Sequence, residues 1–386
     1  MPELVYFDNQ ATTQVDPRVL EAMLPYFHER FGNPASRSHR FGWEAEKAVD
    51  RARKQVAELA GAASAAEIVF TSGATESNNL VLKGVWEAYR SQGNHIVTVG
   101  TEHRAVLDPL RHLERLGARL TVLPPKEDGL LDLGRLREAI LPETILVSVM
   151  YANNEIGVIQ PVEEIGSICQ ERGVLFHSDA AQAFGKVPVR VVAEKVDLMS
   201  ITAHKVYGPK GVGALYIRRG IRLAQQMDGG GHESGMRSGT LNVPGIVGLG
   251  EACAICAREM GEDANRTRAL RDRLLARIVD QIDGVAVNGS MEQRLPGNLN
   301  LSVRAIQAGA LLTSLPEIAL SSGSACSSAT PEPSHVLRAI GLSEEAARGS
   351  VRFGLGRFNT EREVDYVAAR VSEVVSKLRR EAPHIL

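Results

Sequence analysis

Short apolar runs rich in β-branched residues alternate along this chain with longer stretches whose apolar residues return every three or four positions. Residues 67–70, 95–99, 120–123, 145–150, 174–177, 198–201 and 214–217 are of the first kind and read as strands. Residues 43–59, 76–90 and 162–172 are of the second kind, with charged opposite faces, and read as amphipathic helices. Parallel strands need a crossover of a dozen or more residues, usually a helix, so this rhythm predicts an α/β fold on a mostly parallel sheet.

The texture changes after about Gly250. A charged helical region over 258–282 is followed by an apolar strand at 298–303, and residues 321–333 are mostly Ser, Ala, Thr, Gly and Pro around a single Cys326. Such small residues have little to bury, so this last stretch is expected to be an exposed, mobile loop. The division predicted is a large α/β domain over 13–258 and a smaller α+β domain over 259–386, joined by an N-terminal arm, 1–12. Taken alone, Val351-Arg352-Phe353 reads as an edge strand carrying a surface arginine.

Composition narrows the class. The 386 residues are 44% hydrophobic and 23% charged, as expected of a globular chain that needs no disulfide or structural metal. A net charge of -2 argues against a strongly basic nucleic-acid footprint. Four irregularly placed cysteines, Cys169, Cys253, Cys256 and Cys326, do not make a secreted disulfide framework, so a reducing, cytoplasmic setting is expected. No apolar run approaches the ~20 residues of a membrane helix, and the opening residues lack a signal peptide's basic and apolar regions, so no membrane partner is expected. Cys253-Ala254-Ile255-Cys256 has metal-site spacing, yet no second pair follows and both thiols fall in an apolar helical pattern; core packing is expected and no metal is assigned.

Three segments carry candidate chemistry. Thr71-Ser72-Gly73-Ala74-Thr75-Glu76-Ser77-Asn78 follows a strand and opens a helix, where free N–H groups and the helix dipole favour an anion; an ordinary helix cap is the alternative. His177-Ser178-Asp179 ends another strand, at the sheet edge where open α/β folds bind ligands, although an Asp there is equally a helix cap. Thr202-Ala203-His204-Lys205 precedes a glycine-rich turn, and Lys205 is either a Schiff-base lysine or a solvated surface one. Together an anion cradle, a strand-end carboxylate and a lysine suit pyridoxal 5′-phosphate better than any one does alone.

With these segments the chain closely resembles the cysteine desulfurases of the iron–sulfur-assembly and nitrogen-fixation kind, within the fold-type I, class V aminotransferase superfamily. The likeness runs from Tyr6-Phe7-Asp8-Asn9-Gln10-Ala11-Thr12-Thr13 to Val351-Arg352-Phe353-Gly354-Leu355-Gly356. Its distinctive stretches between are Phe31-Gly32-Asn33-Pro34, Thr101-Glu102-His103, Asn153-Asn154-Glu155-Ile156-Gly157, Arg237-Ser238-Gly239-Thr240 and Ser322-Gly323-Ser324-Ala325-Cys326.

The resemblance implies a fold-type I, pyridoxal-phosphate-dependent enzyme that converts L-cysteine to L-alanine. Lys205 would hold the cofactor and move protons. Asp179 would keep the pyridine nitrogen protonated, and Gln182 would contact the phenolic oxygen. His103 would stack on the ring and exchange a proton with the substrate thiol; without the resemblance it reads as a loop or capping histidine. Ala74, Thr75, Thr202 and His204 would bind phosphate, with Thr240 reaching in from the other subunit of a homodimer. Asn33, Asn154 and Arg352 match substrate-side positions, Arg352 as a bidentate clamp on the carboxylate. Cys326 would take the sulfur as a persulfide and pass it to an iron–sulfur scaffold protein or another acceptor, with cluster assembly or tRNA thiolation downstream; no metal site is assigned beyond a contact of Cys326 with an iron–sulfur cluster in such a complex.

Where relatives commonly have glycine before His-Lys, this chain has Ala203, whose methyl is expected beside the phosphate. A selenocysteine lyase or a small-amino-acid aminotransferase of the same superfamily is the alternative reading, and a catalytically inert sulfur carrier that binds a scaffold is the alternative of another class.

Overall fold

The computed structural model describes residues 4–322 and 333–381. Its main sheet has seven strands: β1 (Ile68–Thr71), β2 (His95–Val99), β3 (Arg119–Leu123), β4 (Thr144–Ser148), β5 (Leu175–Asp179), β6 (Leu198–Thr202) and β7 (Gly213–Ile217). Their order across the sheet is β1-β7-β6-β5-β4-β2-β3. β3, β2, β4, β5 and β6 run parallel, while β7 is antiparallel to both its neighbours. The sheet is therefore mixed, and β1 points the same way as the parallel strands. Strands β2, β4, β6 and β7 are buried throughout, as expected of a sheet covered on both faces.

Two helices cover one face closely. Arg40–Ala60 repeats alanine and valine at buried positions, among them Ala45, Ala48, Val49, Ala52 and Val56, and it packs on the helix Val243–Gln281. That second helix begins well before the charged region at 258–282; its first turns are rich in Gly and Ala and show little hydrophobic periodicity, so the sequence pattern does not mark its start. Close packing explains the composition: a Cβ at Gly250 would lie 2.6 Å from the Ala52 Cα, so only glycine lets the two backbones approach this far. The same helix spans two cores. Ile246, Leu249, Cys253 and Cys256 pack under the main sheet, whereas Leu270, Leu274 and Ile278 join a second cluster.

The second cluster lies against a four-stranded antiparallel sheet in the order Ser321–Ser322, Ser350–Gly354, Asn298–Val303, Val285–Val287. Val5 and Phe7 of the N-terminal segment belong to this cluster, and Val5–Tyr6 pairs in parallel with Ile318–Ala319. Ser350–Gly354 is thus an inner strand, and Arg352 on it is only 2% exposed. The edge-strand, surface-arginine reading of that segment is corrected here; neighbours distant in sequence bury it. No helix among the described residues is long and apolar enough to cross a membrane.

Candidate active site

Because β1, β2, β4, β5 and β6 share one direction, their carboxyl ends lie along one edge of the sheet, and the segments that follow them converge there. They line a cavity of about 580 Å³. From β1 comes the turn Ser72-Gly73 and the helix Ala74–Tyr89; from β2, His103; from β4, Asn154; from β5, Asp179 and Gln182; from β6, Thr202, His204 and Lys205. Gln10, Ala11 and Thr12 of the N-terminal segment and Arg352 of the small sheet close it.

The anion cradle is built by close approach. Thr71 and Thr202 both sit in register with Gly213, and a Cβ at Gly213 would lie 2.6 Å from the Gly73 Cα. Glycine at both places lets the turn press against the sheet, and no side chain caps the helix that starts at Ala74. Its free N–H groups and positive dipole end therefore face the cavity beside Thr75, Thr202 and His204. His204 is held by Thr12 Oγ1 at 3.1 Å; burial, then Lys205, Lys210 and Lys186, push its pKa down to about 4, so the ring is neutral near pH 7. Ala203 is buried under Gly208 and does not line the cavity, which corrects the expectation that its methyl would lie beside a phosphate.

Across the cavity Asp179 is fixed on both oxygens. Oδ2 accepts from Asn78 Nδ2 at 2.7 Å and Oδ1 from the Ala181 N–H at 2.9 Å. Lys205 Nζ donates to the Ala11 carbonyl at 2.7 Å and to that of Gln10. Burial first, then Lys186 and Arg352, lower the Lys205 amine to about 7 against the opposing pull of Asp8 and Asp179. A lysine poised there is half neutral at physiological pH and able to act as nucleophile and base.

His103 caps the helix Arg104–Arg115, its Nδ1 accepting from the Ala105 N–H at 3.0 Å. The capping alternative is thus realised, but it does not exclude chemistry: with Nδ1 an acceptor, the neutral ring carries its proton on Nε2. Arg352 donates from Nη1 to the Asn154 carbonyl at 2.8 Å and from Nη2 to Asp8 Oδ1 at 2.7 Å. Its buried Nε makes no hydrogen bond among the described residues, and neither does the Asn78 Oδ1. Asn33 and Thr240 are exposed and do not line the cavity. Cys326 lies outside the described residues.

Beneath the site runs a buried polar row, Ser148, His177 and Ser200, with His177 Nδ1 2.9 Å from one hydroxyl and Nε2 3.1 Å from the other. Burial pushes His177 down to about 3. Cys253 and Cys256 are fully buried with thiols pushed up by burial, which is the core role expected of them, and the described residues include no cluster of potential metal ligands.

The family model described as class-V aminotransferase matches residues 5–367. This chain belongs to the class-V aminotransferase family. Members of the family depend on pyridoxal phosphate. Among curated relatives it is 57% identical over 381 residues to the cysteine desulfurase IscS of Anaeromyxobacter dehalogenans (strain 2CP-C), covering 98% of this chain and 94% of that one. Among solved structures a NifS-like protein superposes with a TM-score of 0.91 at 40% identity, covering 97% of this chain and 99% of its own. SspA in complex with cysteine superposes with a TM-score of 0.83 at 37% identity, covering 92% and 100%. The architecture expected from the sequence, an α/β fold of this family with a second, smaller sheet, is the one observed.

Sequence reasoning passed over Asn78, Asp8, Glu155 and Lys186. Asn78 left a signal, since an Asn inside an amphipathic helix gives up better capping positions and needs a buried partner to stay. Asp8 and Glu155 left none, because distant segments bring Arg352 next to Asp8 and Ser334 next to Glu155.

Proposed function

We propose that this chain is a pyridoxal 5′-phosphate-dependent cysteine desulfurase that converts L-cysteine to L-alanine, leaves the sulfur on Cys326, and supplies it to iron–sulfur cluster assembly. The observation that carries the reading is Lys205, with an amine near neutrality, sharing one cavity with a doubly held Asp179 and an uncapped helix N-terminus. The donor set fits the cofactor: the cradle at Ala74, Thr75, Thr202 and His204 for phosphate, Asp179 for the ring nitrogen, Gln182 for the phenolic oxygen and Lys205 for the aldehyde. When bound, the ring supplies an electron sink for the pair released at the substrate Cα.

The chain's own groups do the rest. Lys205 takes a proton from the substrate Cα and returns it, which its near-neutral amine suits. Asp179, pinned by Asn78 and Ala181, keeps a proton on the ring nitrogen. His103 would lie against the ring and exchange the substrate-thiol proton through Nε2, the nitrogen its cap leaves free. Arg352, with an uncommitted Nε, holds the substrate carboxylate beside Asn154; with Nη1 and Nη2 already engaged the clamp is single and not the bidentate one expected, and Asn33, outside this cavity, takes no part in it. Cys326 as thiolate attacks the substrate sulfur; a Cys326–sulfur bond forms as the carbon–sulfur bond breaks, and the electron pair and a proton end on the β-carbon as a methyl group. Thiol plus cysteine thus gives persulfide plus alanine with no outside oxidant.

Thr240 is assigned to the neighbouring site of a homodimer. Support for this comes from its exposure and from Phe27, Phe31, Phe41 and Trp43, each about half exposed or more on the N-terminal helices and the turn between them. An iron–sulfur scaffold or another sulfur acceptor is the downstream partner, and the free buried thiols among the described residues fit a reducing cytoplasm. The test is mass spectrometry after incubation with L-cysteine. One sulfur atom gained at Cys326, with alanine formed and both lost in Cys326→Ala, supports the reading; alanine without any protein-bound sulfur refutes it.

A further inference from the structure

A second lysine, Lys186, stands behind the cavity and has no part in the chemistry above. It lies four residues past Gln182 in a run of turns, and its Nζ donates to Gln182 Oε1 at 3.2 Å. An ammonium has donors only, so the Gln182 atom facing it must be the carbonyl oxygen. The amide NH2 is thereby turned the other way, where it donates to the Gln10 carbonyl at 2.9 Å on the cavity wall. Lys205 donates to that same carbonyl. Lys186, Gln182, Gln10 and Lys205 are therefore one continuous run of hydrogen bonds, and Lys186 forms no ion pair among the described residues. Lys186 is half-buried and held by a neutral amide oxygen instead of a carboxylate, so keeping its charge carries a desolvation cost that asks for a purpose.

We propose that Lys186 is a positioning residue for the lysine chemistry: it sets the Gln182 amide so that a donor faces the cofactor's phenolic oxygen, and its charge keeps the neighbouring Lys205 amine neutral and nucleophilic. This rests on the pyridoxal-phosphate reading of the cavity. The groups that face Lys186 are Lys205 and Arg352 on the cavity side, His204 beside them, and the Cys256 thiol behind. Burial, and Arg352 after it, bring Lys186 down to about 8, so it is still largely charged at pH 7, where Lys205 has half lost its proton. Lys205 titrates first and feels the full charge of Lys186; without that charge, burial and Arg352 still lower the amine while Asp8 and Asp179 raise it, so the midpoint moves up but not back to that of a free lysine.

The test follows the visible band that grows when cofactor-free protein is mixed with pyridoxal 5′-phosphate, as a function of pH. Wild type should reach half its maximal rate near pH 7. Lys186→Met should move that midpoint up by about half a pH unit or more, so that the rate at pH 7 falls at least roughly twofold. Lys186→Arg, which keeps both charge and donor, should stay near wild type. Lys186→Gln keeps a donor for Gln182 without the charge; it should titrate like the Met variant, and it serves if that variant does not fold. A folded Met or Gln variant with the wild-type midpoint, or an Arg variant that titrates like Met, overturns the role of Lys186 alone. A wild-type protein that forms no band at any pH overturns this proposal and the reading of the cavity together.

Discussion

Arg352→Lys tests how the site holds its substrate. The guanidinium is 2% exposed, on an inner strand, with Nη1 committed to the Asn154 carbonyl, Nη2 to Asp8, and the buried Nε without a partner among the described residues. Lysine keeps the charge but presents one compact ammonium on a flexible stem, which cannot reproduce the planar fork while also satisfying two internal acceptors. The substrate carboxylate then loses one charge-assisted hydrogen bond, about 1.5–3 kcal/mol. At tenfold per 1.4 kcal/mol this raises KM for L-cysteine by roughly ten- to a hundredfold. The groups at the reacting atoms are untouched, so kcat should move less than KM. The assay is alanine formation against cysteine concentration in variant and wild type at full cofactor occupancy. Cysteamine, which lacks the carboxylate and so cannot give alanine, is the control, with both substrates followed by sulfide released under a thiol reductant: the wild-type preference for cysteine over cysteamine should shrink by the same factor. A KM within twofold of wild type, or an equal loss on both substrates, refutes the carboxylate assignment.

Other consequences concern buried polar groups. His177 is expected to make the fold acid-labile: its pKa falls from 6.5 unfolded to about 3 folded, so the unfolded chain binds the extra proton, and stability present above pH 6.5 is lost as pH drops toward 3. At pH 5 the loss is about 2 kcal/mol, and urea unfolding should show wild type losing that much more than His177→Gln between pH 7.5 and 5; equal losses would refute it. Asn78→Ala removes the 2.7 Å bond to Asp179 and should weaken cofactor binding by about 1.5–3 kcal/mol, tenfold or more in Kd measured on the cofactor-free protein. An unchanged Kd would mean that the Ala181 N–H alone holds the carboxylate.

Local pattern determined much of this protein. The strands β2 and β6, the helix Val162–Arg172 and the strand Asn298–Val303 lie where hydrophobic periodicity puts them, because each buries a face whose spacing is written within a few residues. The chemistry-bearing segments were legible for a similar reason: a strand end, a tight turn and a helix start are local geometries, and Gly73, Asp179 and Lys205 each occupy one. The reversed direction of β7 and the inner position of the Arg352 strand were not legible, since strand order depends on which distant faces meet. Nor did composition reveal that the helix from Val243 starts so early, because its glycines answer to a neighbouring backbone instead of to their own periodicity. The pairing of Arg352 with Asp8, of Asp179 with Asn78 and of Lys186 with Gln182 was decided by tertiary structure. A buried charge needs a partner in space, and only the folded chain fixes which group, near or hundreds of residues away, supplies it.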